Sequence, residues 1–526
     1  MSKRLLLGSS MLIATLALLL SQWRTSPTPG TPPVTGRNNT VLFISNSELG
    51  LSNVLVSSAY ALLERHPEVH VHYASFAPMG PRLERISEHR RRKMPSAQEI
   101  VFHELPEQLA FIYAMAKTER TLTSVIHPPG PASISTICRD MSFYVSPWSG
   151  EDHFTLYEKL TGIIDEVDPA LVVLDVFLRP AIDAARKRNR LNAFITPNPL
   201  VDLFSFNQPY GRWLWKYPIM GSGLSYPVPW SKIPENIYMN LRYFYAMYFM
   251  PHYKATQKFL ESKGLTDQVS WFDLHRSNEP LFTQTLSGAS TPLDIIPPNV
   301  TCTGPITLPL STVEEQSPDL SKWLARAPTV LISLGSLFLW SEDQAAAMAQ
   351  ALANVLAGTD LQVLWKLRKA PLDATGATYG EEFAAPLRPY LDGGRVKIES
   401  WLEVEPTSLL ATGHIVASVH HGGAGCYNEA LGAGVAQVVL PQWLDHYSFA
   451  QFAEDAGVGV WGCRETSPNW TAECLRDALS TVVDKDKTGR AIREKARRFG
   501  DQVQSDPGQY IVAREIAKLA ASGYDS

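Results

Sequence analysis

Between residues 415 and 434 the chain reads IVASVHHGGAGCYNEALGAG, an apolar run that breaks into glycine and resumes as a helical pattern. A buried strand that feeds a glycine-rich turn at a helix start suits an anion, above all a phosphate. Gly422, Gly423 and Gly425 let the backbone come close to such a guest. The amides of Ala424, Gly425 and Cys426 point at it with the helix dipole behind them, and His421 adds a side-chain hydrogen bond. The same residues also suit a tight strand-to-helix turn that needs glycine and binds nothing. The segment lacks both the GK[ST] ending of a Walker loop and the GxGxxG spacing of a dinucleotide fingerprint, which weighs against those two readings.

Glu429 lies eight residues after His421, one turn into the new helix, where a carboxylate meets ribose hydroxyls or simply faces solvent at a helix start. Asp445 and His446 follow an apolar run at 436–440 (AQVVL) and offer an acceptor and a donor to sugar hydroxyls. The formal charge of −5 supplies no global field for polyanions, so a phosphate site has to be local. The five cysteines contain no CxxC pair, which signals neither a zinc cluster nor a dense disulfide framework. One bridge is possible, with an odd thiol left over.

These groups need a scaffold. Apolar runs at 41–45 (VLFIS), from 69 (VHVHYASF), 170–175 (ALVVLD) and 192–196 (NAFIT) alternate with helical patterns, as in a parallel sheet covered on both faces. A Pro-, Ser- and Thr-rich break at 303–320 separates them from a second series at 329–333, 362–366, 396–399, 415–420 and 436–440. The fold expected is α/β, two facing doubly wound domains with a cleft between strand carboxyl ends. The expected divisions are a first domain over 38–310, a second over 316–505 and a terminal helix over 506–526, to which the resemblance described below assigns acceptor binding, donor binding and packing back on the first domain. An aromatic-dense stretch at 200–260 reads as helices on the domain's own core, or as an apolar acceptor pocket or lipid-facing surface.

Lys3 and Arg4 precede an apolar run at 5–23, about 28 Å long as a helix against a hydrocarbon core of about 30 Å. Residues 1–24 are therefore read as a membrane anchor with a lumenal body in an endomembrane such as the endoplasmic reticulum, or as a cleavable signal peptide of a secreted protein. Residues 25–37 form a Pro-rich spacer, and sequons stand at Asn38, Asn299 and Asn469.

The segment from W(401)LEVEPTSLL through HHGGAGCYNEALGAGVAQVVLPQWLDH(446) resembles the carboxy-terminal signature of the UDP-dependent glycosyltransferases, in residue types and spacing. Weaker similarity runs from Val41 onward. The resemblance implies the GT-B fold, two facing Rossmann-like domains, and an inverting transfer of a hexose, glucose or galactose, from a UDP-sugar co-substrate to a hydroxyl or acid of a small apolar acceptor. It implies no other cofactor and no metal. Position by position it places Trp401 on the uracil, with Ser336 and the His421, Gly423, Ala424, Gly425 and Cys426 loop on the diphosphate. Glu429 falls on the ribose, and Asp445 and His446 on the donor sugar. A thiol replaces the family's usual hydroxyl at Cys426, and His446 replaces its usual Gln, a change that goes with galactose in some relatives.

The first half departs from the pattern. Where the family's loop carries a His that serves as general base, this chain has Leu51, which takes no proton. The Asp that normally orients that His is matched by Asp175. Three explanations stand: Glu48 or Asp175 is the base, the acceptor is acidic enough to need little help, or the chain is a non-catalytic UDP-sugar- or lipid-binding protein. Loss of a general base costs about 10²- to 10⁴-fold, which leaves room for catalysis by positioning and donor activation.

Overall fold

Val41 and Phe43 turn to one face of the first strand and Leu42 and Ile44 to the other, and all four are fully buried, so this strand needs cover on both sides. The computed structural model describes residues 32–118, 124–145, 147–270, 274, 276–308, 311–372 and 376–524. In the first half it shows β1 (Arg37–Ile44), α1 (Leu49–Arg65), β2 (His70–Phe76), α2 (Gly80–Lys93), β3 (Val101–Leu105), α3 (Gly150–Val167), β4 (Pro169–Asp175), α4 (Arg179–Lys187) and β5 (Asn192–Thr196). After these come α5 (Leu200–Phe204), α6 (Ile233–Phe249), β6 (Leu281–Thr283) and β7 (Val300–Cys302). The seven strands form one sheet in the order β3-β2-β1-β4-β5-β6-β7, parallel throughout. α1 covers the Val41 and Phe43 face, while α3 and α4 cover the Leu42 and Ile44 face.

The second half repeats the plan with β8 (Thr329–Ser333), α7 (Glu342–Ala357), β9 (Gln362–Lys366), β10 (Val396–Glu399), β11 (Ile415–His420), α8 (Ala424–Gly432), β12 (Ala436–Val439), α9 (Asp445–Asp455) and β13 (Gly459–Trp461). Its strands are parallel in the order β10-β9-β8-β11-β12-β13. In both sheets the strand order reverses beside the first strand, and a crevice opens at the carboxyl ends there, the usual ligand position of such sheets. α10 (Ala472–Val483), α11 (Lys487–Ser505) and α12 (Gly508–Ala520) close the chain. From Thr35 onward the described residues make one compact unit. α12 returns to the first sheet, where Val512, Ala513 and Ile516 share a core with Val41, Leu55 and Leu171.

The strands at 192–196, 329–333, 362–366, 396–399 and 415–420 have the bounds expected from sequence, whereas β1 begins earlier, at Arg37, and β12 ends at Val439 rather than at residue 440. Strands β3, β6, β7 and β13 were not anticipated. The aromatic stretch divides: α6 buries Met239, Tyr243 and Met247 and exposes Tyr238, Tyr245 and Phe249. Nothing from 200–260 lines the large cleft described below. The apolar run at 5–23 lies outside the described residues, among which no helix is long and apolar enough to cross a membrane. Cys463 and Cys474 form a disulfide, leaving Cys138, Cys302 and Cys426 as thiols. The Asn299 sequon is engaged by the fold, its Nδ2 donating to the carbonyls of Glu279 (2.6 Å) and Arg276 (3.0 Å).

Because α12 completes the core of the first domain, Ile516→Ala is expected to cost about 2–5 kcal/mol. Hydrogen exchange checks it. Protection is expected to fall in β1 and α1 and to hold in β11, although β11 is far nearer in sequence to the substitution.

Candidate active site

β11 is buried along most of its length and ends at His420, whose ring is spent on structure. Its Nδ1 accepts the Gly422 amide (3.1 Å), so Nε2 carries the proton and donates to Gln437 Oε1 (2.8 Å). The chain then turns at Gly422, where φ is +86° and a Cβ would sit 2.8 Å from the His446 carbonyl oxygen. Only glycine fits that turn. Gly423 caps α8, and the first amides of the helix, Ala424 to Cys426, lack intrahelical partners and face the crevice.

His421 packs so closely on the loop after β8 that a Cβ at Gly335 (φ +79°) would lie 2.5 Å from its Nε2. Burial lowers its pKa to about 3 and that of His420 to about 4, so both rings are neutral. Burial pushes the Cys426 thiol up to about 12, so no thiolate charge stands among the first amides of α8. Glu429 is raised to about 7, first by burial and then by the nearby Glu405.

One cleft of about 610 Å³ brings together Ser336, Trp401, His421, Gly423, Ala424, Gly425, Cys426 and Glu429. On the opposite wall stand Leu49, Gly50 and Asn53 from the start of α1. Asp445 and His446 stand behind this lining: the His446 ring is buried, with its centroid 4.3 Å from that of His421 and 4.2 Å from that of Trp443. Asp445 is raised to about 7 by burial.

Three groups in or beside the cleft escaped the sequence reading. Lys366, at the end of β9, reaches the Gly335 carbonyl (2.9 Å) and lies 3.8 Å from the centroid of the Trp401 ring, covering one face of it. Its pKa is lowered by burial to about 8. Arg82, on α2, brings a cation from the first domain, and its neighbour Arg85 pairs with Glu405 across the cleft. Asp202, on α5, is raised to about 8 by burial and by Asp445, a carboxylate of the other domain. Their common signal is position: Lys366 is a strand-end residue, and Arg82 and Asp202 sit on helices that follow strands.

The two candidate bases differ. Asp175 is 1% exposed and accepts from the Asn46 amide (3.2 Å), Asn46 Nδ2 (2.9 Å) and the Phe177 amide (2.9 Å), so it ties the loop after β1 to the turn after β4. Glu48 caps α1 one residue before the cleft lining begins. Its Oε1 accepts the Ile112 amide (3.0 Å), its Oε2 has no partner, and burial raises its pKa. Leu51 does not line the cleft. Among the described residues no group of three or more His, Cys, Asp or Glu is placed to hold a metal ion.

Residues 396–519 match the family described as erythromycin biosynthesis protein CIII-like, C-terminal domain. Over 490 residues the chain is 34% identical to glycosyltransferase sdnJ of Sordaria araneosa, covering 91% of this chain and 93% of that protein. This chain belongs to the glycosyltransferases. The human 2-hydroxyacylsphingosine 1-beta-galactosyltransferase is 24% identical over 324 residues, 56% of this chain and 53% of that one. Among solved structures, a UDP-glucosyltransferase from Polygonum tinctorium capable of glucosylating indoxyl superposes with a TM-score of 0.58 at 16% identity, over 93% of this chain and 99% of that one. The glycosyltransferase thus has a GT-B-like fold of two parallel-sheet domains.

Where Glu429 takes the donor's ribose, as proposed below, its raised pKa gives donor binding a pH dependence. Its carboxylate accepts hydroxyl protons and its acid form does so poorly, so KM for the donor is expected to fall as pH rises from about 6 to about 8, one unit either side of its pKa. In Glu429→Gln that slope should disappear; a slope that survives the substitution assigns it to another group.

Proposed function

We propose that the enzyme is an inverting transferase that moves a hexose from a UDP-sugar to a hydroxyl or acid of a small apolar acceptor such as a terpenoid, sterol, polyketide or lipid. The observation that carries the reading is the shared cleft, in which the bare amides of α8, Trp401 and Glu429 face the start of α1. In this reading Trp401 offers uracil the face that Lys366 leaves free, and Glu429 takes the ribose hydroxyls. The α8 amides, His421 and Ser336 hold the diphosphate, with the positive charge of Lys366 and Arg82 alongside. As the bond from the anomeric carbon to the diphosphate breaks, the charge that grows on the leaving oxygen is met by donors already aimed at it. Asp445 and His446 read the sugar, and the match to a galactosyltransferase fits a His at that position.

For the base we favour Glu48 over Asp175. Burial raises the pKa of both, but Glu48 keeps an unpartnered oxygen and adjoins Leu49 of the cleft lining, whereas Asp175 is tied to three donors. Glu48 takes the acceptor proton as the acceptor oxygen forms its bond to the anomeric carbon. The apolar run at 5–23 is proposed as the anchor that keeps the enzyme near lipid-soluble acceptors. Leu51 favours one other reading, a protein that binds UDP-sugars without turnover.

Incubating the full chain with UDP-glucose or UDP-galactose and a panel of apolar alcohols and acids separates the two. Acceptor-dependent UDP release is expected, falling by about 10²- to 10³-fold in His421→Ala and by about 10²- to 10⁴-fold in Glu48→Gln. UDP binding with no turnover on any acceptor, and turnover gained in Leu51→His, would mark a binding protein instead.

A further inference from the structure

The turn that delivers Asp445 and His446 is strained. Leu444 has φ +34° and ψ −112°, a left-handed extended conformation that is the mirror image of the first corner of a type II turn and belongs to glycine. A leucine stays there only when its surroundings outweigh the strain, and such positions gather at functional sites. Both restraints on Leu444 come from the first domain. Its side chain is buried in a cluster with Ile137, Ile219, Met239 and Tyr243. Its amide donates to Nε2 of His127 at 3.1 Å, across 317 residues of sequence.

His127 is built for that contact. It is 3% exposed, and burial lowers its affinity for a proton, so the ring is neutral. Because Nε2 accepts from Leu444, the ring proton is on Nδ1, which donates to the Pro128 carbonyl at 2.8 Å and fixes the tautomer. The His127 backbone grips the same loop from both sides: its amide donates to the Gln442 carbonyl (3.1 Å), and its carbonyl accepts from the Tyr447 hydroxyl.

We propose that His127 is a positioning residue for sugar transfer: by accepting the Leu444 amide proton it holds residues 443–446 in the form that presents Asp445 and His446 to the donor sugar. This rests on the reading that Asp445 and His446 select the sugar. Sugar selection then depends on the first domain being seated on the second, although neither His127 nor Leu444 touches the donor.

The test compares His127→Gln with His127→Asn in the full chain. The longer amide carries an acceptor to where Nε2 stood, and the shorter one reaches only as far as Nδ1. His127→Asn is expected to lose about 10- to 100-fold in kcat, the scale set by small misplacements of reacting groups. Its preference between UDP-glucose and UDP-galactose should narrow, while inhibition by UDP, which measures the diphosphate and uridine contacts alone, stays within about twofold. His127→Gln should recover most of both losses. The proposal is overturned if the two variants match the wild type, or if they fall together in proportion to a loss of thermal midpoint. Asp445→Asn is the control. If it changes sugar preference and His127→Asn does not, this proposal alone fails; if it leaves preference unchanged, the assignment of the sugar-reading pair fails and the proposal with it.

Discussion

The site depends on how closely the backbone is packed where β11 hands over to α8. A side chain at Gly422 would collide with the His446 backbone, and one at Gly335 would collide with His421. The close packing that glycine permits there desolvates His420 and His421 enough to keep both rings neutral. They are hydrogen-bonding groups and carry no charge. In the proposed function, meeting a diphosphate falls on the unpaired amides at the start of α8, whose partial charge cannot be titrated away, and on Lys366 and Arg82 at the cleft wall. A cleft with this much fixed polarity and this little bulk positive charge agrees with a chain whose formal charge is −5.

The second dependence is between domains. Arg82 and Arg85 approach Glu405 and Glu429 from α2, and Asp202 faces Asp445 from α5. His127 clasps the 442–447 loop, and α12 crosses back to complete the first core. Glu405, Glu429, Asp445 and the 442–447 loop thus each face a group from the other half of the chain. The arrangement of these groups therefore depends on how the two sheets are seated on each other.

The glycine-rich wall of the cleft was legible in the sequence because its elements are local. A strand, a glycine turn and a helix start occupy one continuous stretch, so Gly423, Ala424, Gly425, Cys426 and Glu429 could be named from spacing alone and meet in one cleft. The long parallel strands were legible because burial on both faces writes an unbroken apolar run. Strands β6, β7 and β13, three residues each, were too short for such a run, and β3 (VFHEL) carries polar residues at the sheet edge. Lys366, Arg82, Asp202 and His127 were missed for a different reason: each acts across a gap of tens to hundreds of residues, and nothing beside them in sequence marks the partner. Asp175 looked like a candidate base at the end of a strand, but only the fold shows Asn46 and Phe177 donating three hydrogen bonds to it.

Titration calorimetry of the full chain with UDP, UMP and uridine tests the central claim most directly. If fixed amides and the cleft cations hold a diphosphate, affinity should rise stepwise from uridine to UMP to UDP. UDP should bind at least about 100-fold more tightly than uridine, the equivalent of one or two charge-assisted hydrogen bonds. Equal affinity for UDP and uridine, or binding of neither, would contradict the account.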